Sequence, residues 1–194
     1  MIKKVLVATH NAGKKNEIAA MLKDTKIEVL SFADLDQSIP EPEETGTTYE
    51  ENALLKARHA AELTGLPTIG DDSGLEVEML PGELGVRTKR FAPGSDADRN
   101  MKLLDELRQE PNRTAMFVCC VVLYDPTAQT HKTFFGEVKG KIAEEMDGKD
   151  GFGFDPVFIP DGYDKTMAEL GSKVKNELSH RARAIEKLKN YLMS

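Results

Sequence analysis

Two adjacent carboxylates form the strongest candidate for chemistry in the sequence. Residues 68–70 predict a short strand, and Asp71 and Asp72 follow it directly, ahead of Ser73 and Gly74. Neighbouring carboxylates repel each other unless a divalent cation compensates them or one of them acts as a base. Sites in α/β proteins lie at strand ends. The position therefore favours a functional pair over an Asp-rich turn whose carboxylates only cap backbone N–H groups.

A second source of hard oxygen ligands precedes this pair. Glu43 and Glu44 lie in residues 34–48, which are rich in acids, Pro and Thr and predict a loop. Capping-box spacing at residues 47–50 then predicts a helix to about residue 63. Magnesium usually takes one or two protein carboxylates together with phosphate oxygens. Either glutamate would therefore complement the Asp pair around magnesium.

Lys56 is a candidate cation on that helix. Asn52 and Lys56 are four residues apart, so they share one helix face. A lysine is by default a surface residue whose stem lies along apolar neighbours, and that interpretation stays open for Lys56.

A strand-to-helix turn near the start of the chain could bind phosphate. Residues 4–8 predict a buried strand and residues 14–22 a helix, and a lysine pair follows the turn. Backbone N–H groups at a helix start, together with a Lys, form a phosphate cradle. Ala8 and Lys15 break the P-loop pattern, so a P-loop kinase or NTPase is disfavoured. A Gly-containing turn with a surface lysine pair remains the alternative.

Aromatic and basic residues mark two further segments. Residues 151–156 place two phenylalanines between glycines ahead of a predicted strand at 156–159. An exposed ring can stack on a nucleobase, although we expect Phe152 to lie in the core. Further on, Ser179 can cap a final helix, and His180 and Arg181 supply several donors at its start. A lone histidine is more often structural.

The remaining elements must position these residues. We expect strands at 27–32 and 75–80, a helix at 95–109, and two long antiparallel neighbours at 114–124 and 130–142. Crossover helices together with one long hairpin imply an α/β fold with a mixed sheet.

Composition limits the class of partner. The chain has 194 residues, with 26 Lys+Arg against 33 Asp+Glu and a net charge of -7. This acid excess argues against a nucleic acid polymer but allows a small anionic ligand held by a few cations. The adjacent Cys119 and Cys120 point to opposite faces of a strand, so we expect reduced, buried thiols. No apolar run approaches a membrane span or a signal peptide, which predicts a cytoplasmic protein.

Five segments, in order and over nearly the whole chain, resemble the inosine triphosphate pyrophosphatase family, the RdgB-like non-canonical purine NTP pyrophosphatases. Five motifs in order make a chance match improbable. One stretch, residues 84–91, departs from the family's usual Pro-Gly, aromatic and Ser-Ala-Arg pattern, although Gly85 and Arg90 remain. The matching segments are residues 9–14, 43–46 with 51–53 and Lys56, 71–75, 152–156, and Lys175 with 179–181.

The resemblance implies a long mixed twisted sheet flanked by helices. It also implies a single domain over residues 1–194 with two lobes, an active site in the cleft between them, and a homodimer. The implied activity is magnesium-dependent hydrolysis of dITP, ITP and XTP to the monophosphate and pyrophosphate, which removes them from the nucleotide pool.

Residue roles follow from the same resemblance. Asp72 would bind magnesium and accept a proton, and Ser73 would contact substrate. The residues implied in triphosphate binding are Thr9, His10, Asn11, Ala12, Gly13 and Lys14. Those implied in nucleotide contacts, largely at the base end, are Phe152, Gly153, Phe154, Asp155, Lys175, His180 and Arg181.

The residue types suit this reaction. Attack of water at the α-phosphorus needs a base, a metal that neutralises charge, and cations on the leaving pyrophosphate. Asp71, Asp72 and one of the two glutamates can provide the first two, and Lys14 and Lys56 the third. The candidate catalytic residues are therefore Asp71, Asp72 and Lys56.

Base selection would use hydrogen-bond donors. His180 and Arg181 suit a 6-keto acceptor and would leave a 6-amino donor unpaired. Two alternatives stay open: a nucleotide pyrophosphatase with a different base preference, and a nucleotide-binding module without catalysis.

Overall fold

Strands and α-helices alternate over the first part of the chain, whereas from residue 114 onward three strands and then two helices follow one another. The computed structural model describes residues 2–194. Its strands are β1 Lys4–Val7, β2 Glu28–Ser31, β3 Thr68–Val77, β4 Thr114–Asp125, β5 Thr130–Ile142 and β6 Phe158–Pro160. Its α-helices are α1 Ala12–Leu22, α2 Tyr49–Thr64, α3 Asp96–Glu106, α4 Met167–Leu178 and α5 His180–Met193, and short 3₁₀ helices occupy Lys23–Thr25, Phe32–Asp34 and Gly85–Arg90.

The strands form one mixed sheet in the order β2-β1-β3-β4-β5-β6. Strand β1 pairs in parallel with both β2 and β3, and β6 runs antiparallel to β5. Parallel neighbours need crossover connections, and α1 and α2 supply them. The predicted α/β class with a mixed sheet is confirmed.

The chain divides into two compact units, of which the first contains the described residues up to Ser73, then Cys119–Gly136 and Arg181–Ser194. Cys119 packs in a cluster with Ile18 and Ile185, whereas Cys120 packs in another with Ala53. Both thiols are free and buried. The predicted arrangement of the two cysteines on opposite strand faces is therefore confirmed.

The second unit contains Gly74–Val118 and Glu137–His180. Its core gathers Leu75, Leu103, Phe117, Phe154 and Phe158. Phe154 is 2% exposed, whereas Phe152 is half-buried and outside this cluster. The expectation that Phe152 is the core aromatic of this loop is wrong, because Phe154 fills that position.

Two element predictions need correction, and one helix was not predicted. Strand β3 continues through the two aspartates, which therefore do not lie at a strand end. The capping box of α2 uses Thr48 and Glu51, one residue later than predicted. Helix α4 was not predicted, because Gly171, with φ 76° and ψ 169°, interrupts its helical conformation and so breaks the periodicity.

Within residues 2–194, none of the helices combines the length and the apolar character that crossing a lipid bilayer requires.

Candidate active site

The start of helix α1 is built by short side-chain contacts in the first unit. The Asn11 side chain caps the helix by accepting from the Lys14 N–H at 3.1 Å, and the Asn11 N–H donates to Thr9 Oγ1 at 3.0 Å. Ala12 and Gly13 form the first helical turn, so the helix begins two residues earlier than predicted. His10 is held outside the helix by the Ile39 carbonyl oxygen at 3.0 Å. A helix start of this kind presents backbone N–H groups to an anion.

The two aspartates have separate surroundings because they are neighbours on strand β3. Successive side chains of a strand point to opposite faces. Asp71 contacts Lys14 and Arg181, whereas Asp72 contacts Asn52 and Lys56. The pair thus forms two sites, one on each side of the strand.

Lys56 connects Asp72 to Glu44, which lies in the acidic loop at residues 34–48. Its ammonium donates to Asp72 Oδ1 at 2.8 Å, to Glu44 Oε1 at 2.9 Å and to the Asp71 carbonyl oxygen at 3.0 Å. Lys56 is 6% exposed, so its interpretation as a surface lysine is wrong. Burial acts to lower its pKa, but the Asp72 and Glu44 carboxylates outweigh burial and raise it, so Lys56 stays charged.

A glycine allows helix α2 to approach β3 and deliver Lys56. A Cβ at Gly70 would lie 2.0 Å from the Ala53 carbonyl oxygen, so no larger residue fits without movement of the backbone. Asn52, from the same helix, donates to Asp72 Oδ2 at 3.4 Å and accepts from the Gly46 N–H at 2.8 Å. Asn52 therefore ties the loop after Glu44 to the aspartate. Its position four residues before Lys56 was the signal that could have placed it in the site.

The two candidate metal ligands of the acidic loop differ in position. Glu44 is half-buried and contacts Lys56, whereas Glu43 is exposed. Within residues 2–194 no group of three or more His, Cys, Asp or Glu side chains could by itself hold a metal ion. The carboxylates of Glu44 and Asp72 both contact the Lys56 ammonium, so two hard-oxygen donors lie close together. Two carboxylates fit Mg²⁺ whose remaining ligands are waters and substrate phosphates.

Asp71 is the centre of a buried ion network. Arg181 donates from Nε to Asp71 Oδ2 at 2.9 Å and from Nη1 to Glu17 Oε2 at 2.6 Å. Arg181 Nη2 also donates to Ser73 Oγ at 3.0 Å, and Lys14 contacts Asp71 Oδ1. Burial alone would raise the pKa of Asp71, but Arg181 and Lys14 hold it well below its usual range. Asp71 is a fixed anion that positions these two cations.

This network changes the interpretation of one predicted residue, Arg181, and adds a residue that was not predicted. The guanidinium of Arg181 is occupied by Asp71, Glu17 and Ser73, all within the first unit. Its predicted contact with a nucleobase stays a prediction. Glu17 was missed by sequence reasoning, although its place three residues after Lys14 on one helix face was a usable signal.

Asp72 has the opposite electrostatic setting. Burial raises its pKa, and Lys56 opposes that effect only in part. A carboxylate with a raised pKa is a stronger base once it is ionised. Two cations already contact Asp71, whereas Asp72 has a raised pKa, so Asp72 is the better candidate for the proton acceptor.

We expect the pKa values of the two adjacent carboxyl groups to be shifted in opposite directions from that of an ordinary aspartate, about 3.9: downward for Asp71 and upward for Asp72. The Asp71 carboxylate is stabilised by two cations and the Asp72 carboxylate is desolvated. Carboxyl ¹³C shifts of the metal-free protein, assigned with Asp71→Asn and Asp72→Asn, measure both pKa values. A lower value for Asp72 than for Asp71 would contradict the two-sided arrangement.

The second unit contains the loop at residues 152–155, called here the aromatic loop. Lys175 Nζ donates to Asp155 Oδ2 at 2.5 Å and lies 4.2 Å from the centroid of the Phe152 ring. The same carboxylate oxygen accepts from the Phe152 N–H at 2.8 Å. A buried ion pair thus fixes the conformation of residues 152–155. The half-buried Phe152, rather than Phe154, supplies a ring that could reach a ligand.

His180 is buried and stacked. Its ring lies parallel to the Phe117 ring, with an interplanar angle of 8° and centroids 4.6 Å apart. His180 belongs to the second unit, whereas the next residue, Arg181, belongs to the first. The stacked ring is oriented by packing, which suits a donor of fixed direction.

Comparisons with known proteins show which proteins this chain resembles. The chain is 46% identical over 187 residues to a Deinococcus deserti protein named dITP/XTP pyrophosphatase, with 96% of this chain and 88% of that protein covered. It is 42% identical over 195 residues to a protein of the same name from Oceanobacillus iheyensis, with 98% of each covered. The solved structure of a HAM1 protein from Coxiella burnetii superposes with a TM-score of 0.88 at 37% identity, and the match covers 100% of this chain and 99% of that one.

The family assignment rests on the length of the match as well as on identity. A model of the Ham1 family matches residues 5–191, which include every candidate site residue described above. The resemblance to the non-canonical purine NTP pyrophosphatases is thereby confirmed, and the chain belongs to the Ham1 family.

Proposed function

We propose that this protein hydrolyses the non-canonical purine nucleoside triphosphates dITP, ITP and XTP to the monophosphate and pyrophosphate. The observation that carries the proposal is the buried ammonium of Lys56, which holds the Glu44 and Asp72 carboxylates together. Relatives that cover nearly the whole chain are named dITP/XTP pyrophosphatase, which supports this choice of substrate. No observation favours a module without catalysis or a different base preference.

The proposed reaction is attack of water on the α-phosphorus. Asp72 accepts a proton from the water, a new P–O bond forms, and the bond between the α-phosphorus and the bridging oxygen breaks to release pyrophosphate. Burial raises the pKa of Asp72, which suits a general base. Lys14, at the start of α1, and Lys56 contribute positive charge for the leaving group.

Glu44 and Asp72 are the residues that would hold magnesium. When bound, the metal would supply neutralisation of charge on the phosphoryl oxygens. Two carboxylates leave room for phosphate ligands, as magnesium sites usually do. Of the predicted metal ligands, Glu43 is the least supported, because it is exposed.

The two neighbouring glutamates form a matched pair for a test of this site. We expect Glu44→Gln to weaken Mn²⁺ binding by at least about 10-fold, because it removes one of two carboxylates from the donor set, and even loss of a residue that only supports a metal ligand costs about 10- to 100-fold. Glu43→Gln removes the same charge one residue away from an exposed position and should change binding little. Titration calorimetry with Mn²⁺ and a non-hydrolysable nucleotide measures both. Equal losses in the two variants would show that general charge, and not a specific ligand, is responsible.

Base selection is assigned to the second unit. Phe152 offers a ring for stacking, and Lys175 and His180 offer donors to a 6-keto oxygen. An adenine would present a 6-amino donor to the same groups and leave them unpaired. Arg181 holds Asp71 in this proposal, and its contact with the base stays a prediction.

A substrate panel tests the function directly. The purified protein with Mg²⁺ is incubated with dITP, XTP, dATP and dGTP, and pyrophosphate and orthophosphate are measured separately. We expect pyrophosphate, formed faster from dITP and XTP. Orthophosphate as the product, or equal rates with all four nucleotides, would contradict the proposal. A cytoplasmic location, a homodimer and a single two-lobed domain remain predictions from the sequence.

A further inference from the structure

Two side chains of helix α3 hydrogen-bond to the backbone of Gly153, in the aromatic loop at residues 152–155. Asp96 and Asn100 are four residues apart, so they share a face of the helix. Asp96 Oδ2 accepts from the Gly153 N–H at 2.7 Å, and Asn100 Nδ2 donates to the Gly153 carbonyl oxygen at 2.9 Å. An acceptor and a donor thus engage both polar groups of a single backbone residue. The two peptide groups that flank Gly153 are fixed by side chains from outside the loop.

The carboxylate of Asp96 is itself oriented. Its other oxygen, Oδ1, accepts from Arg99 Nη2 at 2.5 Å. Burial acts to raise the pKa of Asp96, but the contacts with Arg99 and with the Gly153 N–H outweigh burial and lower it. Asp96 is therefore ionised over the physiological range, and its bond to Gly153 is charge-assisted.

Asn100 is an unfavourable residue for stability alone. It is 1% exposed, and its Oδ1 has no hydrogen-bond partner among residues 2–194. A buried acceptor without a partner lowers stability, which offsets part of what the Asn100 amide contributes through its bond to the Gly153 carbonyl oxygen. Residues that oppose stability in this way are expected where function requires them. What the Asn100 amide contributes is its hydrogen bond to the Gly153 carbonyl oxygen, which an apolar residue could not make.

These hydrogen bonds fix the backbone that carries Phe152. The Phe152 N–H is held by Asp155, and the peptide group after Phe152 is held by Asp96. Gly153 has φ +64°, a conformation that other residues rarely adopt, so the chain turns at the point where α3 holds it. With the backbone fixed on both sides, the Cα–Cβ bond of Phe152 has a set direction, from which the ring lies 4.2 Å from Lys175 Nζ.

We propose that Asp96 and Asn100 are positioning residues for base recognition, acting through the backbone of Gly153. The inference rests on the proposed function, since it assumes that the loop at 152–155 contacts the base. Neither residue is among those proposed above to hold the metal or to accept the proton. Their loss should loosen the loop and weaken binding of the base without changing the chemistry at the α-phosphorus.

Three substitutions test the role, and one variant of the same helix serves as the control. Asp96→Ala removes the acceptor, Asp96→Asn keeps an acceptor oxygen, and Asn100→Leu removes the donor at similar volume. Asp96 is 48% exposed at its side chain, so its variants should fold. Asp98→Ala is the matched control, because Asp98 caps the same helix through Ser95 and is not among the side chains bonded to Gly153.

We expect Asp96→Ala and Asn100→Leu to raise KM for dITP about tenfold while kcat stays within about twofold, which is the pattern of lost substrate binding. The preference for dITP over dATP should fall by the same factor. Asp96→Asn should recover most of the loss, and Asp98→Ala should lower the melting temperature without changing KM.

Three outcomes would overturn the positioning role: unchanged KM in both Asp96→Ala and Asn100→Leu, an equal rise of KM in Asp98→Ala, or a fall in kcat alone. The wild-type arm separates these from failure of the proposed function. A wild-type enzyme without preference for dITP would contradict the function itself, whereas normal preference with unaffected variants overturns only the role of helix α3.

Discussion

Replacing Asp72 with Asn is expected to reduce pyrophosphate release from dITP by about 10²- to 10⁴-fold, the usual contribution of a general base. The substitution removes the proton acceptor and one of the two proposed metal ligands. Folding should change little, because Lys56 keeps the Glu44 carboxylate and the Asp71 carbonyl oxygen as partners. Because burial raises the pKa of Asp72, the folded state disfavours the charge of this group, and a neutral amide of the same size is tolerated there.

The control for Asp72→Asn is a separate variant that also loses one acidic charge. Glu43→Gln removes one acidic charge from an exposed position of the same region and should keep nearly full activity. Initial rates and urea unfolding midpoints are measured for both variants. If Asp72→Asn retains activity within about tenfold of the wild type, Asp72 is not the base.

Replacing Arg181 with Met should instead destabilise the fold by about 3–5 kcal/mol, because it leaves buried carboxylates without their shared cation. The Arg181 and Asp71 side chains are each 2% exposed, and Arg181 also holds Glu17. Removal of one partner of a buried ion pair costs more than the pair itself contributes. Urea unfolding followed by circular dichroism measures the loss.

An exposed ion pair provides the comparison for Arg181. Arg108 pairs with Asp105 at 2.5 Å, but the two side chains are 75% and 67% exposed. Arg108→Met should therefore cost no more than about 1 kcal/mol. Similar losses for the two arginines would contradict the buried network.

The contribution of Asp71 to stability has a defined dependence on pH. Its pKa is lowered in the folded state, mainly because Arg181 and Lys14 outweigh burial. The stabilisation is therefore fully present above the pKa of an unfolded aspartate, about 3.9, and is lost as the pH falls through the folded pKa. The difference in stability between wild type and Asp71→Asn should shrink in that acidic window.

The sequence predicted the class of fold and the chemical types in the site because both depend on local patterns. Residues 4–8 and 114–124 are apolar runs bounded by turn signals, and both proved to be strands within a few residues. Asp72 and Lys56 were singled out from their types and spacing. The structure brings these two residues within hydrogen-bond distance.

What the sequence could not predict depends on contacts between distant segments. The interpretation of Asp71 and Asp72 as one functional pair was natural at a strand end, but strand β3 continues through both and turns them to opposite faces. Arg181 is 110 positions from Asp71 in the chain, and no spacing rule joins them. The hydrogen bond between Asp96 and Gly153, 57 positions apart, is hidden for the same reason.

The choice between Glu43 and Glu44 illustrates the limit at a single residue. The two are adjacent, identical in type and located in a loop, where no periodicity indicates which side chain turns inward. The structure distinguishes them because Lys56 draws Glu44 inward. Sequence reasoning identified the pair of candidates, and tertiary contact distinguishes between them.

The most direct test of the proposed reaction uses isotopically labelled water. The protein is incubated with dITP and Mg²⁺ in H₂¹⁸O, with dATP as the comparison substrate, and the products are analysed by mass spectrometry. The proposed reaction predicts one ¹⁸O atom in the monophosphate and unlabelled pyrophosphate, with dITP consumed faster than dATP. Label in the pyrophosphate, or release of labelled orthophosphate, would contradict it.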